Sequence, residues 1–211
     1  IRMQEHATDP EVFIRSLASR GAVGGVSAPL FAAVHVMEAW GADLVFIETV
    51  GTGQDEVAIA KVADTVLYVT APSLGDEIQA MKAGTMEVAD VFVVNKADLP
   101  EIERAVSNIR RALSLIEKSR RTFAPPVLPV SSLNETGIVD VMSAVDAHRA
   151  HLEKTGEGVA RRKDQLREEV SLYITRNLYR DTLNRLSARH LDDLIAKKTD
   201  PLTLGKKLLK R

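Results

Sequence analysis

Asn95-Lys96-Ala97-Asp98 closes an apolar run, Val91-Phe92-Val93-Val94, and is followed by Leu99-Pro100. The run reads as a buried parallel strand and the Leu-Pro step as the opening of a helix, so the tetrapeptide falls on a strand-end loop. There an Asp carboxylate can accept two parallel N–H bonds from the N1 and N2 edge of guanine. The Asn side chain can meet the base N7 and brace neighbouring loops, while the Lys stem lies along the ring. Adenine has an unprotonated N1 and no N2 amine, so it would leave the carboxylate unpaired, which is costly in a partly dry site. The competing reading is a polar turn that merely follows a strand, and four residues do not separate the two.

Two further segments bear on that choice. The apolar run 43–47 reads as another strand and leads into Glu48-Thr49-Val50-Gly51. A carboxylate at a strand end can reach Mg²⁺ directly or through water, and a glycine lets its backbone amide approach a γ-phosphate. Gln54 could orient an attacking water or serve a structural role in the same loop. Downstream, Val127-Leu128-Pro129-Val130 runs into Ser131-Ser132-Leu133-Asn134. Backbone amides there could bind the guanine O6, and small side chains would admit the base. All three tetrapeptides fall at the carboxyl ends of expected parallel strands, the edge along which open α/β sheets bind ligands. Together they point to a chain built to hold GTP.

The elements that must position these residues alternate from residue 28 to about 154. Helices are expected at 28–40, 55–62, 76–88, 100–118 and 137–154, and strands at 43–47, 65–70, 91–94 and 127–130. Ile102, Val106, Ile109, Leu113 and Ile116 form one apolar stripe; Ile138, Val141, Met142, Val145 and Leu152 form another. Met81 and Met86 read as core. Strand–helix alternation at this spacing implies a parallel sheet. The tail differs: Leu166, Val170, Tyr173, Ile174 and Leu178, then Leu183, Leu186, Leu191, Leu194 and Ile195, recur at helical spacing. Asp200-Pro201 supplies an N-cap and a first-turn proline for a last short helix.

Charge divides the chain at the same place. Residues 1–153 carry 13 Lys+Arg against 21 Asp+Glu, and residues 154–211 carry 15 against 8, although the whole chain has a net charge of −1. The glycines of Lys154-Thr155-Gly156-Glu157-Gly158 interrupt the helical pattern there. The reading is therefore two parts, 1–154 and a helical arm at 155–211. The basic arm is read as packing on its own acidic domain or on a second subunit in preference to nucleic acid. Aromatic residues make up 4% of the 211, which disfavours binding single strands by base stacking. With no cysteine there are no disulfides or thiolate metal sites, which fits a cytoplasmic protein. No apolar stretch is long enough to span a membrane. With 45% hydrophobic residues and a mean hydropathy of −0.05, the chain can bury an ordinary core. His148 and His151, an i,i+3 pair, read as a solvated helix face and not as metal ligands.

One part expected of a GTPase does not occur in these 211 residues: a phosphate loop of the form G-x-x-x-x-G-K-[ST]. Gly21-Ala22-Val23-Gly24-Gly25 is the nearest candidate and lacks the lysine. Together with the opening Ile1-Arg2-Met3, this suggests the C-terminal part of a longer protein, with the phosphate-loop strand and helix upstream.

With these residues in hand, the chain resembles the cobalamin-linked P-loop GTPases that chaperone methylmalonyl-CoA mutase and related acyl-CoA mutases, many labelled LAO/AO (arginine/ornithine) transport-system kinases or ATPases. The resemblance rests on Ile1-Arg2-Met3, Phe13-Ile14-Arg15-Ser16, Arg20-Gly21 with Gly24-Gly25, Glu48-Thr49-Val50-Gly51-Thr52-Gly53-Gln54, Gly75-Asp76-Glu77-Ile78-Gln79 with Lys82-Ala83-Gly84, and Asn95-Lys96-Ala97-Asp98. It implies a parallel-sheet α/β G domain with a C-terminal helical extension. By the same resemblance, Asn95, Lys96 and Asp98 read guanine beside Ser131, Ser132 and Leu133, and Glu48 helps hold Mg²⁺. Gly51 to Gln54 form switch II; Gly75, Asp76, Glu77, Gln79 and Lys82 belong to a mobile loop that relays nucleotide state to the mutase. Thr52, Asp55 and Ser73 depart from the family's usual Val, Ser and Gly. The implied function is a slow GTPase that gates adenosylcobalamin delivery to an acyl-CoA mutase, as a homodimer joined by its C-terminal helices. The alternatives are a truncated, non-catalytic partner-binding module and a transport-associated kinase.

Overall fold

The chain's computed structural model describes residues 3, 6, 8–17, 28–49, 58–72, 83–115 and 122–209. In chain order these hold α1 (Ala28–Trp40), a 3₁₀ turn (Ile59–Lys61), β1 (Leu67–Thr70), α2 (Ala83–Val88), β2 (Val91–Val94), α3 (Ile102–Leu115), β3 (Val127–Pro129), α4 (Ile138–Thr155), α5 (Glu157–Asn184), α6 (Ala188–Ile195) and α7 (Pro201–Leu209). The sheet order is β1-β2-β3, with Tyr68 opposite Phe92 and Phe92 opposite Val127 in parallel register.

β2 shows why an unbroken apolar run becomes the central strand. All four of its residues are buried. Phe92 and Val94 point to one face, where they join Val66, Met86, Val106, Ile109 and Val127, with Ile102 and Leu113 at the margin. Val91 and Val93 point to the other and pack with Val130, Val141 and Ala144. Successive side chains alternate between faces, so a strand covered by helices on both sides must be apolar throughout. The Phe92 ring also meets Tyr68 across the pair at 5.7 Å.

The helix ends follow local chemistry. Gly41, at φ +95°, closes α1, with Gly41 N–H bonded to the Glu38 carbonyl and Ala42 N–H to that of Met37, the two bonds of a Schellman stop. Gly156, at φ +75°, separates α4 from α5. Ser187 caps α6 by accepting from the His190 N–H, while His190 Nδ1 accepts the Ser187 N–H, so a histidine takes the usual Glu or Gln position of a capping box. Asp200 Oδ1 accepts the Thr203 N–H at 2.9 Å, as the Asp-Pro signal predicted.

Three expectations are corrected. The strand at 43–47 does not form: residues 44–49 are irregular and Phe46 is 73% exposed. An apolar run specifies a strand only when a neighbour pairs with it, and among the described residues the outer edge of β1 is unpaired. Ile138 and Met142 face outward, not inward. His148 is not on a solvated face; it is 1% exposed, because the inward stripe of α4 runs Val141, Ala144, His148, Leu152. Met86 is core as expected, whereas Met81 and Ile116 lie outside the described residues.

The chain forms two compact units, Ile1–Arg162 and Lys163–Arg211, and α5 runs through both. The first holds the sheet. The second holds most of α5 with α6 and α7; within it Leu204 and Leu208 are buried and Arg185 donates to the Leu208 carbonyl at 2.6 Å. Among the described residues no helix is long and apolar enough to cross a membrane.

Candidate functional site

The loops after β2 and β3 meet at the carboxyl edge of the sheet. Backbone bonds fix their roots: Asn95 N–H donates to the Thr70 carbonyl at 2.7 Å, Val130 N–H to that of Val94 at 2.9 Å, and Ala97 N–H to that of Val130 at 2.9 Å. All three strands therefore set the position of residues 95–98. Lys96 takes φ +62°, which tightens the turn and is uncommon for a residue with a Cβ.

Side chains then lock one loop to the other. Asn95 Oδ1 accepts three bonds: from Lys96 N–H at 2.8 Å, Ser132 N–H at 3.1 Å and Ser132 Oγ at 3.0 Å. Ser131, 1% exposed, donates through Oγ to Asp98 Oδ1 at 2.6 Å and accepts the Asn134 N–H at 3.2 Å. The 131–136 loop closes on itself through reciprocal Ser131–Thr136 backbone bonds of 3.0 and 3.1 Å. Gly137, at φ +78°, lets the chain leave that loop; a Cβ there would stand 2.5 Å from the Pro129 carbonyl oxygen.

This bonding sets what each group still offers. Asn95 spends its oxygen on bracing, and among the described residues its amide N–H₂ remains to donate. The exposed Asp98 keeps Oδ2 without a bond from another residue among those described, and Oδ1 keeps a lone pair. The Ser131 hydroxyl, then the backbone, hold the Asp98 carboxyl below its ordinary 3.8, so it is an ionised acceptor at neutral pH. An anionic two-oxygen acceptor beside a neutral donor matches the N1, N2 and N7 pattern of guanine and mismatches adenine. Leu133, 81% exposed, offers an apolar surface beside them.

The other expected site residues stand apart. Glu48 is exposed on the irregular stretch after residue 43, so it does not end a sheet strand. Among the described residues no group of three or more His, Cys, Asp or Glu side chains is placed to hold a metal. Gly51, Gln54, Gly75, Asp76, Glu77, Gln79 and Lys82 lie outside the described residues. Sequence reasoning missed Gly137, whose signal was a glycine directly before the α4 pattern.

A parallel sheet covered on both faces, with its loops gathered at the carboxyl edge, is the α/β architecture of a P-loop GTPase G domain, here with a C-terminal helical extension. The chain belongs to the MeaB family: residues 1–187 match the family described as methylmalonyl Co-A mutase-associated GTPase MeaB. A Pyrococcus abyssi protein provisionally named a GTPase is 38% identical over 206 residues, covering 91% of this chain and 64% of that protein. The Caenorhabditis elegans methylmalonic aciduria type A homolog, mitochondrial by name, is 31% identical over 170 residues, 79% of this chain and 43% of that one. The crystal structure of an LAO/AO transport system kinase matches with a TM-score of 0.56 at 27% identity, covering 83% of this chain and 59% of that chain. The chain thus spans less than two thirds of each of these relatives, and the family read from the sequence is borne out.

Proposed function

We propose that this chain is the guanine-reading and partner-contacting part of a GTP-binding, GTP-hydrolysing chaperone for methylmalonyl-CoA mutase or a related acyl-CoA mutase, gating adenosylcobalamin delivery. One observation carries the guanine reading: Ser131 fixes the Asp98 carboxylate while Asn95 turns its oxygen inward to Ser132, leaving an acceptor and a donor side by side. Family membership supports the mutase connection. In this reading Asn95, Lys96 and Asp98 select the base, Ser131 and Ser132 brace them, and Leu133 packs beside the ring.

Glu48 is the carboxylate proposed to face Mg²⁺, with Gly51 and Gln54 beside the γ-phosphate. Bound Mg²⁺ would neutralise phosphate charge. Among the described residues no three His, Cys, Asp or Glu side chains gather to hold the ion. The loop holding Gly75, Asp76, Glu77, Gln79 and Lys82 is proposed to relay nucleotide state to the mutase. The arm from residue 155 is proposed to join two copies, supported by the exposure of Leu166, Val170, Ile174 and Leu183 along α5. Cytoplasmic placement belongs to the same proposal.

Competition titrations with a fluorescent guanine nucleotide test the reading. GDP displaces the probe far better than ADP, and Asp98→Asn weakens GDP about tenfold or more while admitting xanthosine diphosphate, since hydrogen bonds to a charged group are worth that order. Equal competition by ADP and GDP would refute it.

A further inference from the structure

A second polar cluster sits at the opposite, amino edge of the sheet, away from the base-reading loops. His148, buried on α4, bonds through Nδ1 to Thr65 Oγ1 at 2.9 Å and brings Nε2 to 3.3 Å from Asp90 Oδ1. Arg161, on the second turn of α5, grips Asp90 with both terminal nitrogens, Nη1 to Oδ2 at 2.9 Å and Nη2 to Oδ1 at 3.1 Å. It also donates to the Asp64 carbonyl. Asp90 Oδ2 accepts the Val66 N–H at 2.9 Å. The Phe123 ring lies against both histidines, with centroids 4.8 Å from His148 and 5.3 Å from His151. Outside it, Thr122 Oγ1 bonds His151 Nε2 at 3.0 Å and Glu157 Oε2 at 2.8 Å. A cavity of about 250 Å³, lined by Glu87, Asp90, Thr122, Phe123, His148 and Arg161, gives solvent a route to the cluster.

These contacts admit a neutral or a doubly protonated ring, since the Thr65 hydroxyl can give or take a hydrogen bond, and burial beside Arg161 favours the neutral one. Neutral His148 with its proton on Nε2 turns that N–H toward Asp90 and accepts from the Thr65 hydroxyl. Asp90 then serves a single cation, Arg161. A second proton on His148 would put a second cation, in a buried place, beside a carboxylate that Arg161 already holds with both terminal nitrogens. The groups facing His148 from every packed element are Asp90 before β2, Arg161 and Glu157 on α5, His151 on its own helix and Glu87 on the cavity wall. Two of these are cationic or can become so.

We propose that Thr65, His148, Asp90 and Arg161 form an acid-sensitive clasp that holds the first turns of α5 against the amino edge of the sheet, closed while His148 is neutral and loosened when it gains a proton. Burial is the main influence holding the His148 imidazole below its ordinary 6.5; Asp90 and, less, Glu157 oppose it, and Arg161 and His151 reinforce it. The sign follows. The open form takes up a proton near 6.5 and the closed form only at lower pH, so closure is complete above 6.5 and is lost as pH falls.

Hydrogen exchange on the 211-residue chain, combined with NMR titration of its histidine side chains, tests the clasp. Corrected for intrinsic exchange, protection of amides 157–163 falls from pH 7 to pH 5, the direction that linkage to a histidine with a lowered folded pKa requires. His148 titrates below 6.5, and the loss of protection tracks it. His148→Gln keeps a donor and an acceptor but does not titrate, so its protection stays flat over that range. Asp90→Asn removes the carboxylate from Arg161 and lowers protection at pH 7 as well. An undiminished pH response in His148→Gln, or full protection in Asp90→Asn, would overturn the proposal. Should both variants fail to fold, the wild-type chain still decides. A His148 midpoint at or above 6.5, or protection that does not change with pH, overturns it.

Discussion

At the residue scale, base choice rests on two side chains whose orientation other residues impose. Asp98 is exposed, yet its carboxylate is aimed by a hydroxyl that is itself buried. Ser131→Ala should therefore act twice. It removes a net hydrogen bond worth about 1 kcal/mol of stability, lowering the thermal midpoint by a few degrees, and it weakens GDP severalfold because Asp98 then samples other rotamers. Unchanged GDP affinity in that variant would show that Asp98 needs no brace. Gly137→Ala forces a side chain into a left-handed backbone position and toward the Pro129 carbonyl; such strain costs roughly 1–3 kcal/mol, read in a thermal melt. Asn95, Asp98 and Ser131 were legible in the sequence because their chemistry is tied to strand ends that apolar runs announce. Glu48 was not, because its placement depended on a pairing that the run 43–47 does not make among the described residues. His148 was hidden differently. A polar residue occupies an apolar stripe, and its type outweighed its position seven residues after Val141 and four before Leu152.

At the element scale, β2 links the two edges of the sheet, with Asp90 immediately before it and Asn95 immediately after. Its two-sided burial makes it the least tolerant element. Phe92→Ala should cost about 3–5 kcal/mol, a large share of a domain's usual stability, and is read as a collapse of the cooperative melt. Helix ends were legible where capping chemistry is local. Asp200 caps α7, and its bonds to Thr203 hold its carboxyl below the ordinary 3.8. The stability it lends α7 is present above 3.8 and is lost as pH falls through the lower folded value. Amides 201–209 should therefore lose protection in acid in the wild-type chain, and Asp200→Asn, still an N-cap, should flatten that response. The boundary of the arm was harder to read. A glycine marks the break between α4 and α5, but Arg161 carries the start of α5 into the first unit through Asp90.

At the scale of the whole molecule, the arm presents large apolar side chains to solvent, Tyr173 and Ile174 among them. The proposed homodimer predicts twice the chain mass by light scattering and a monomer for Ile174→Glu; a monomeric wild-type chain would remove the dimer from the account. The claim on which the functional reading depends is that the carboxyl edge of the sheet recognises guanine. Amide NMR of the 211-residue chain with millimolar GDP or ADP tests it most directly. GDP should shift residues 95–99 and 131–134 while ADP leaves them in place, and Asp98→Asn should transfer that response to xanthosine diphosphate. Equal shifts with ADP, or GDP-induced shifts that avoid both loops, would contradict it.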